Sequence, residues 1–217
     1  MGKVICIFPE DRTTDFLMPI YEQIEKIIDF IGYRFDTNDQ YKKQFLYSEL
    51  NTMNDISMLL FLGHGASNML YGSVGENGDK QELFNKNNIS HLSKVNFVGV
   101  ACRSKEFAHN SFKNYIGFGD ITSDFSEIIA ERNYGDPNYL DWATEIDVDN
   151  FKKLFVESIK NAILLSKCSD ISLLYKMMKL CFNKQIAELV RQKNIPHYHH
   201  LADMMFNILS EMTICLS

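Results

Sequence analysis

Leu59-Leu60-Phe61-Leu62-Gly63-His64-Gly65 and Val98-Gly99-Val100-Ala101-Cys102-Arg103-Ser104 decide the reading of this 217-residue chain. Each is a short apolar run of a length that suits a buried strand, and each stops at a chemically able side chain. The first ends on a histidine between two glycines, the second on a cysteine. Neighbouring parallel strands deliver the residues at their carboxyl ends to one rim of the sheet, where ligands of α/β proteins bind. An imidazole and a thiol brought together there are the minimal equipment for hydrolysis through a sulfur nucleophile.

Working outward, Lys3–Phe8 reads as a first, central strand ended by Pro9. Thr13-Thr14-Asp15 offers N-cap chemistry for a helix through Leu17, Ile20, Ile24, Ile27, Ile28 and Ile31, closed by Gly32. Tyr33–Asp36 is expected as a short strand, Asp39–Leu50 as a helix and Ile56–Leu62 as a strong strand covered on both faces. Residues 72–79 form the most loop-like stretch. Next come a helical turn at Ile89–Ser93, a strand at Val95–Ala101, a helix at Ser104–Lys113 and a strand at Asn114–Phe118. Strands alternating with helices predict a mostly parallel α/β sheet.

Beyond about residue 145 the strand signals stop. Phe151, Leu154, Phe155, Ile159, Ala162 and Ile163 fall at helical spacing, as do Leu173 to Cys181 and Leu201 to Met212. Pro196 suits a first helical turn. The expected organisation is an α/β domain over 1–145 carrying a helical subdomain over 146–217.

The formal net charge of −6 is uneven. Residues 1–150 hold 13 Lys/Arg against 23 Asp/Glu, a balance of −10; residues 151–217 hold 9 against 5, a balance of +4. An acidic body repels nucleic acid, so no nucleic-acid partner is expected. No window has the long uncharged run of a membrane span. The start, Met1-Gly2-Lys3, lacks the small-residue cleavage region of a signal peptide. Five scattered cysteines without C-x-x-C spacing point to reduced thiols and a cytoplasmic setting.

The two strand-end motifs, His64-Gly65 and Ala101-Cys102, resemble those of the caspase-like cysteine peptidases, which include caspases, metacaspases, separases, gingipains and bacterial CHAT-domain proteases. Val100-Ala101-Cys102-Arg103-Ser104 is similar to the caspase pattern Gln-Ala-Cys-Arg-Gly. The histidine and cysteine are 38 positions apart, against the roughly 50 of caspases, a spacing more like the bacterial members. Tyr115-Ile116-Gly117-Phe118-Gly119-Asp120 also resembles the strand that comes after the cysteine in CHAT proteases. The resemblance covers roughly residues 1–130. It implies a three-layer caspase-like fold with a mostly parallel central sheet. Val100 stands where caspases place the glutamine that helps hold a substrate aspartate, and Ser104 replaces the following glycine. Aspartate specificity is therefore not expected.

The function expected is that of a cysteine endopeptidase, with Cys102 as nucleophile and His64 as general acid/base. The resemblance places the oxyanion donors at the backbone N–H groups of Gly65 and Cys102. It also places the specificity pocket in the loops after the first strand and after the post-cysteine strand. These loops carry Glu10 and Asp11, then Asp120 and Asp124, so cleavage after a basic residue is expected. Asp11 and Asp124 read equally well as helix caps. The partner expected is a protein substrate in bacterial regulated cell death or phage defence, with the helical tail as a docking or regulatory element. A non-catalytic adaptor of the same fold is the alternative.

No cofactor is called for. Gly72, Gly75 and Gly78 do not match the strand-turn-helix phosphate-loop arrangement. His197-Tyr198-His199-His200 with Asp203 reads as a polar helix start, not a metal site, because no third ligand is firmly placed. Cys6, Cys168 and Cys181 lie in apolar patterns and read as core.

Overall fold

The structure, a computed structural model, describes residues 2–27, 29–75 and 79–217. Its framework is a six-stranded sheet of β1 (Lys3–Ile7), β2 (Phe30–Tyr33), β3 (Ile56–Leu62), β6 (Asn96–Val100), β7 (Tyr115–Gly117) and β8 (Thr213–Cys215). A separate antiparallel hairpin comprises β4 (Met69–Val74) and β5 (Lys80–Asn85). The sheet order is β2-β1-β3-β6-β7-β8, with every pair parallel except β7 with β8.

Among the described residues there are seven α-helices, α1 (Met18–Ile24), α2 (Gln40–Thr52), α3 (Ser104–Ser111), α4 (Phe125–Tyr134), α5 (Glu145–Ser166), α6 (Ile171–Gln192) and α7 (Tyr198–Glu211); all but α4, whose Ile128 packs on Ala143 and Val148, cover the two faces. Alternation along the strands sorts the core into two layers. Val4, Cys6, Leu60, Leu62, Val98 and Val100 pack with α1, α5, α6 and α7. Ile5, Ile7, Leu59, Phe61 and Phe97 pack with α2, α3 and the hairpin. Each such side chain buried in full contributes about 1.5–3 kcal/mol, which is why near-continuous apolar strands settle in a sheet sheltered on both sides. The α/β three-layer arrangement with a helical C-terminal region is the one expected.

The boundary expected at 145/146 falls at the start of α5, yet one core crosses it. Phe155 of α5 stands 5.7 Å from Phe118, beyond β7, and 5.9 Å from Phe182 of α6, ring centre to ring centre. The chain then returns to the sheet as β8, with Ile214 beside Ile116.

Several local expectations are corrected. The first helix ends at Ile24, not Ile31; Ile31 and Gly32 belong to β2, paired with Ile5 and Cys6. The alternating faces of a short strand mimicked helical spacing there, and Ile28 lies outside the described residues. The strand expected at Tyr33–Asp36 accordingly sits earlier, at Phe30–Tyr33. Thr14 precedes only a 3-10 turn and makes no side-chain cap. Gly72, Ser73 and Val74 of the expected loop are in β4, held where Ser73 N–H donates to Thr37 Oγ1; Gly78 lies outside the described residues. Strands do not stop at 145, because β8 closes the sheet edge. Pro196 precedes α7 by two positions, with His197 at the N-cap. Among the described residues, no helix is long and apolar enough to cross a membrane.

Candidate active site

His64 and Cys102 lie just past the carboxyl ends of β3 and β6, which are direct neighbours with Leu62 opposite Val100. The ladder continues one bond further, from Gly63 N–H to the Val100 carbonyl at 3.2 Å. Gly63 has φ 152°, a conformation glycine adopts freely. Gly65 then passes so close to the cysteine that a Cβ there would stand 2.6 Å from the Cys102 carbonyl oxygen. Two backbones in contact thus place the imidazole and the thiol on one rim, where both line a cavity of ≈ 20 Å³ with Thr14, Leu17 and Ile121. That is about the room of one water molecule.

The turn after the cysteine is stapled to its neighbour strand. Arg103 adopts the left-handed conformation at φ 54° and donates its N–H to the Gly119 carbonyl at 2.8 Å. Ser104, fully buried, donates to the Gly99 carbonyl at 2.7 Å and accepts from Phe118 N–H at 2.9 Å. Its hydroxyl joins the ends of β6 and β7, so serine at this position has a structural task. Val100 is core.

The loop after β1 reaches the same rim. Thr13 Oγ1 lies 2.6 Å from His64 Nε2, and the Thr13 hydroxyl donates to Asp11 Oδ1 at 2.8 Å. Asp11 Oδ2 lies 3.3 Å from Nε2, with the aspartate side chain 4% and the histidine side chain 11% exposed. Lys80, at the start of β5, brings its Nζ to 3.3 Å from His64 Nδ1. Burial holds the histidine below its ordinary pKa, and the Lys80 charge acts the same way; Asp11 opposes both.

The thiol pairs with backbone instead of imidazole. Cys102 Sγ donates to the Ile121 carbonyl at 3.3 Å and accepts from Ile121 N–H at 3.4 Å. Burial pushes its pKa up to about 11, against the help of the Ile121 hydrogen bond. In this resting arrangement Cys102 is a protonated thiol at neutral pH. Cys6 is more deeply placed, with its pKa raised well above the usual by burial; Cys168 and Cys181 are core as well.

The carboxylates expected to bind substrate separate into three fates. Asp124 caps α4, accepting from Ser126 N–H at 2.7 Å within a capping box shared with Glu127, so the helix-cap reading holds. Asp11 serves His64 and Glu10 is engaged by Arg34 at 3.5 Å. Asp120 lines a groove of ≈ 450 Å³ beside Cys102 that also carries Glu127, Glu131 and Tyr139 but not Asp11. Sequence reading missed Glu127 and Glu131, which share a helical face four positions apart. It also missed Thr13, taken for cap chemistry, and Lys80, hidden at the edge of an apparent loop.

Elsewhere, His197 Nδ1 lies 3.0 Å from the buried Asp147 carboxylate, and His200 stacks on Trp142 at 4.6 Å. Among the described residues no three side chains form a metal-binding group. A groove of ≈ 460 Å³ between α5 and α6 exposes Leu164, Leu165 and Leu180. Comparison with protein-family models, curated proteins and solved structures finds no match to this chain.

Proposed function

We propose that this chain is a cysteine endopeptidase of the caspase-like type, acting on a protein partner through Cys102 and His64. The observation that carries the reading is the shared cavity of the two side chains at the carboxyl ends of adjacent parallel strands. In the reaction His64 accepts the thiol proton and the sulfur bonds to the scissile carbonyl carbon. The imidazolium then gives its proton to the amine as the C–N bond breaks. Water hydrolyses the resulting thioester and restores the thiol. Asp11, a sheltered carboxylate 3.3 Å from Nε2, stabilises the imidazolium that forms. The N–H groups of Gly65 and Cys102 are proposed as the oxyanion donors, with glycine at 65 permitting close approach.

The acidic groove beside Cys102 supports cleavage after lysine or arginine, with Asp120, Glu127 and Glu131 facing the cation. A role in bacterial regulated cell death or phage defence, with the helical region docking a partner, comes from the resemblance, and a cytoplasmic setting from the scattered cysteines; both belong to the same proposal. The ≈ 20 Å³ cavity and the raised thiol pKa favour a second reading, a non-catalytic adaptor of this fold. A peptide panel with arginine, lysine, aspartate or leucine before the cut separates the two, run with wild type and Cys102→Ala. The peptidase reading expects arginyl or lysyl cleavage by the wild type alone; cleavage that survives Cys102→Ala refutes it.

A further inference from the structure

An ammonium group has donors and no lone pair, so the Lys80–His64 contact dictates where the imidazole proton resides. Nδ1, 3.3 Å from Lys80 Nζ, must accept. The proton of the neutral ring is then on Nε2 and donated to Thr13 Oγ1 at 2.6 Å. The Thr13 hydroxyl hydrogen goes on to Asp11 Oδ1 at 2.8 Å. Every hydrogen in the chain of contacts from Lys80 through His64 and Thr13 to Asp11 is assigned without conflict. Both ring nitrogens are engaged, and neither partner is Cys102.

We propose that Lys80 is a positioning residue for His64. It fixes the neutral Nε2–H tautomer, occupies the Nδ1 lone pair and so holds the histidine apart from the thiol. The second half of this inference rests on reading His64 and Cys102 as a catalytic pair; the first half does not. The charged groups facing His64 are Lys80 from β5 and Asp11 from the loop after β1. Those facing Cys102 are Glu127 from α4, Asp120 from the loop after β7, and Lys80 again. Lys80 favours the thiolate, but it is the least of the influences on a sulfur dominated by burial. The alkylation rate of Lys80→Met decides which of these two opposed effects, blocking the base or stabilising the anion, is the larger. Lys80 is exposed, so replacing it leaves the core untouched.

The test is a ¹⁵N imidazole NMR titration of the full chain, with His64→Gln to assign the signal, on wild type, Lys80→Met and Lys80→Arg. Alkylation of Cys102 by iodoacetamide is followed in parallel. The wild type and Lys80→Arg are expected to show the Nε2–H tautomer at pH 7. In Lys80→Met the histidine pKa should rise, the tautomers should mix and Cys102 should alkylate several-fold faster. An unchanged tautomer and pKa in Lys80→Met would overturn the proposal. So would slower alkylation, which would make Lys80 a thiolate stabiliser. The tautomer is read without turnover, whereas failure of the peptidase reading shows separately as a fast Cys102 alkylation in Lys80→Met that does not slow when His64→Gln is added.

Discussion

Asp11 Oδ2 stands 3.3 Å from His64 Nε2 and, among the described residues, has no well-aligned hydrogen-bond donor. A sheltered carboxylate oxygen left open beside an imidazole is suited to the moment the ring becomes charged. Asp11→Asn keeps the shape and removes that charge. A charge-assisted contact is worth about 1.5–3 kcal/mol, so kcat is expected to fall about 10- to 100-fold, with KM little changed. Steady-state kinetics on an arginyl peptide read this directly; an unchanged kcat would remove Asp11 from the mechanism.

On the proposed mechanism the histidine also sets a pH limit. Its folded pKa lies below the ordinary value, first because of burial and then because of Lys80. The base must be neutral to accept a proton, so the acidic limb of kcat/KM is expected below about pH 6.5, the unperturbed histidine value. For stability the sign is the same: the unfolded chain binds the proton more readily, so this group's contribution is complete above that value and declines as pH falls through it. A pH–rate profile with its acidic limb clearly above about 6.5 would contradict the burial seen here.

The resting thiol should be slow. With its pKa at about 11, against about 8.5 for free cysteine, Cys102 carries far less thiolate at pH 7.5. Iodoacetamide should modify it at least tenfold more slowly than free cysteine at that pH. The rate should climb as pH is raised toward 11, and Cys6 should remain unlabelled. Peptide mapping by mass spectrometry distinguishes the sites.

Asp147 gives a stability prediction remote from the rim. Burial pushes its carboxyl up, but hydrogen bonds from Thr144 and His197 prevail and hold it below the usual range. Its contribution is present above the unfolded aspartate value near 3.9 and is lost as pH falls through the folded one. Asp147→Asn should cost about 1–3 kcal/mol at pH 7, and the difference should shrink toward pH 3. Urea unfolding at both pH values checks it.

Much of this was legible in the chain, and the failures share a cause. Leu59–Leu62 and Val98–Ala101 declared buried strands by apolar content alone, and parallel pairing then obliged His64 and Cys102 to share a rim. Asp124 stayed open between helix cap and substrate carboxylate, and only the capping box with Glu127 decides it. Lys80 and Thr13 did not declare themselves, since each acts on His64 across a fold-dependent gap that no local spacing records. β8 was hidden likewise: three residues after a long helix become a strand only because β7 leaves an edge open to them.

The central claim is that His64 activates Cys102, and one measurement addresses it most directly. An arginyl peptide carrying an electrophilic ketone is incubated with wild type, His64→Ala and Cys102→Ala, and intact mass is followed with time. The expected result is a single adduct on Cys102 in the wild type, formed at least a hundredfold faster than in His64→Ala, and none in Cys102→Ala. Equal rates with and without His64, or an adduct on another cysteine, would contradict the account.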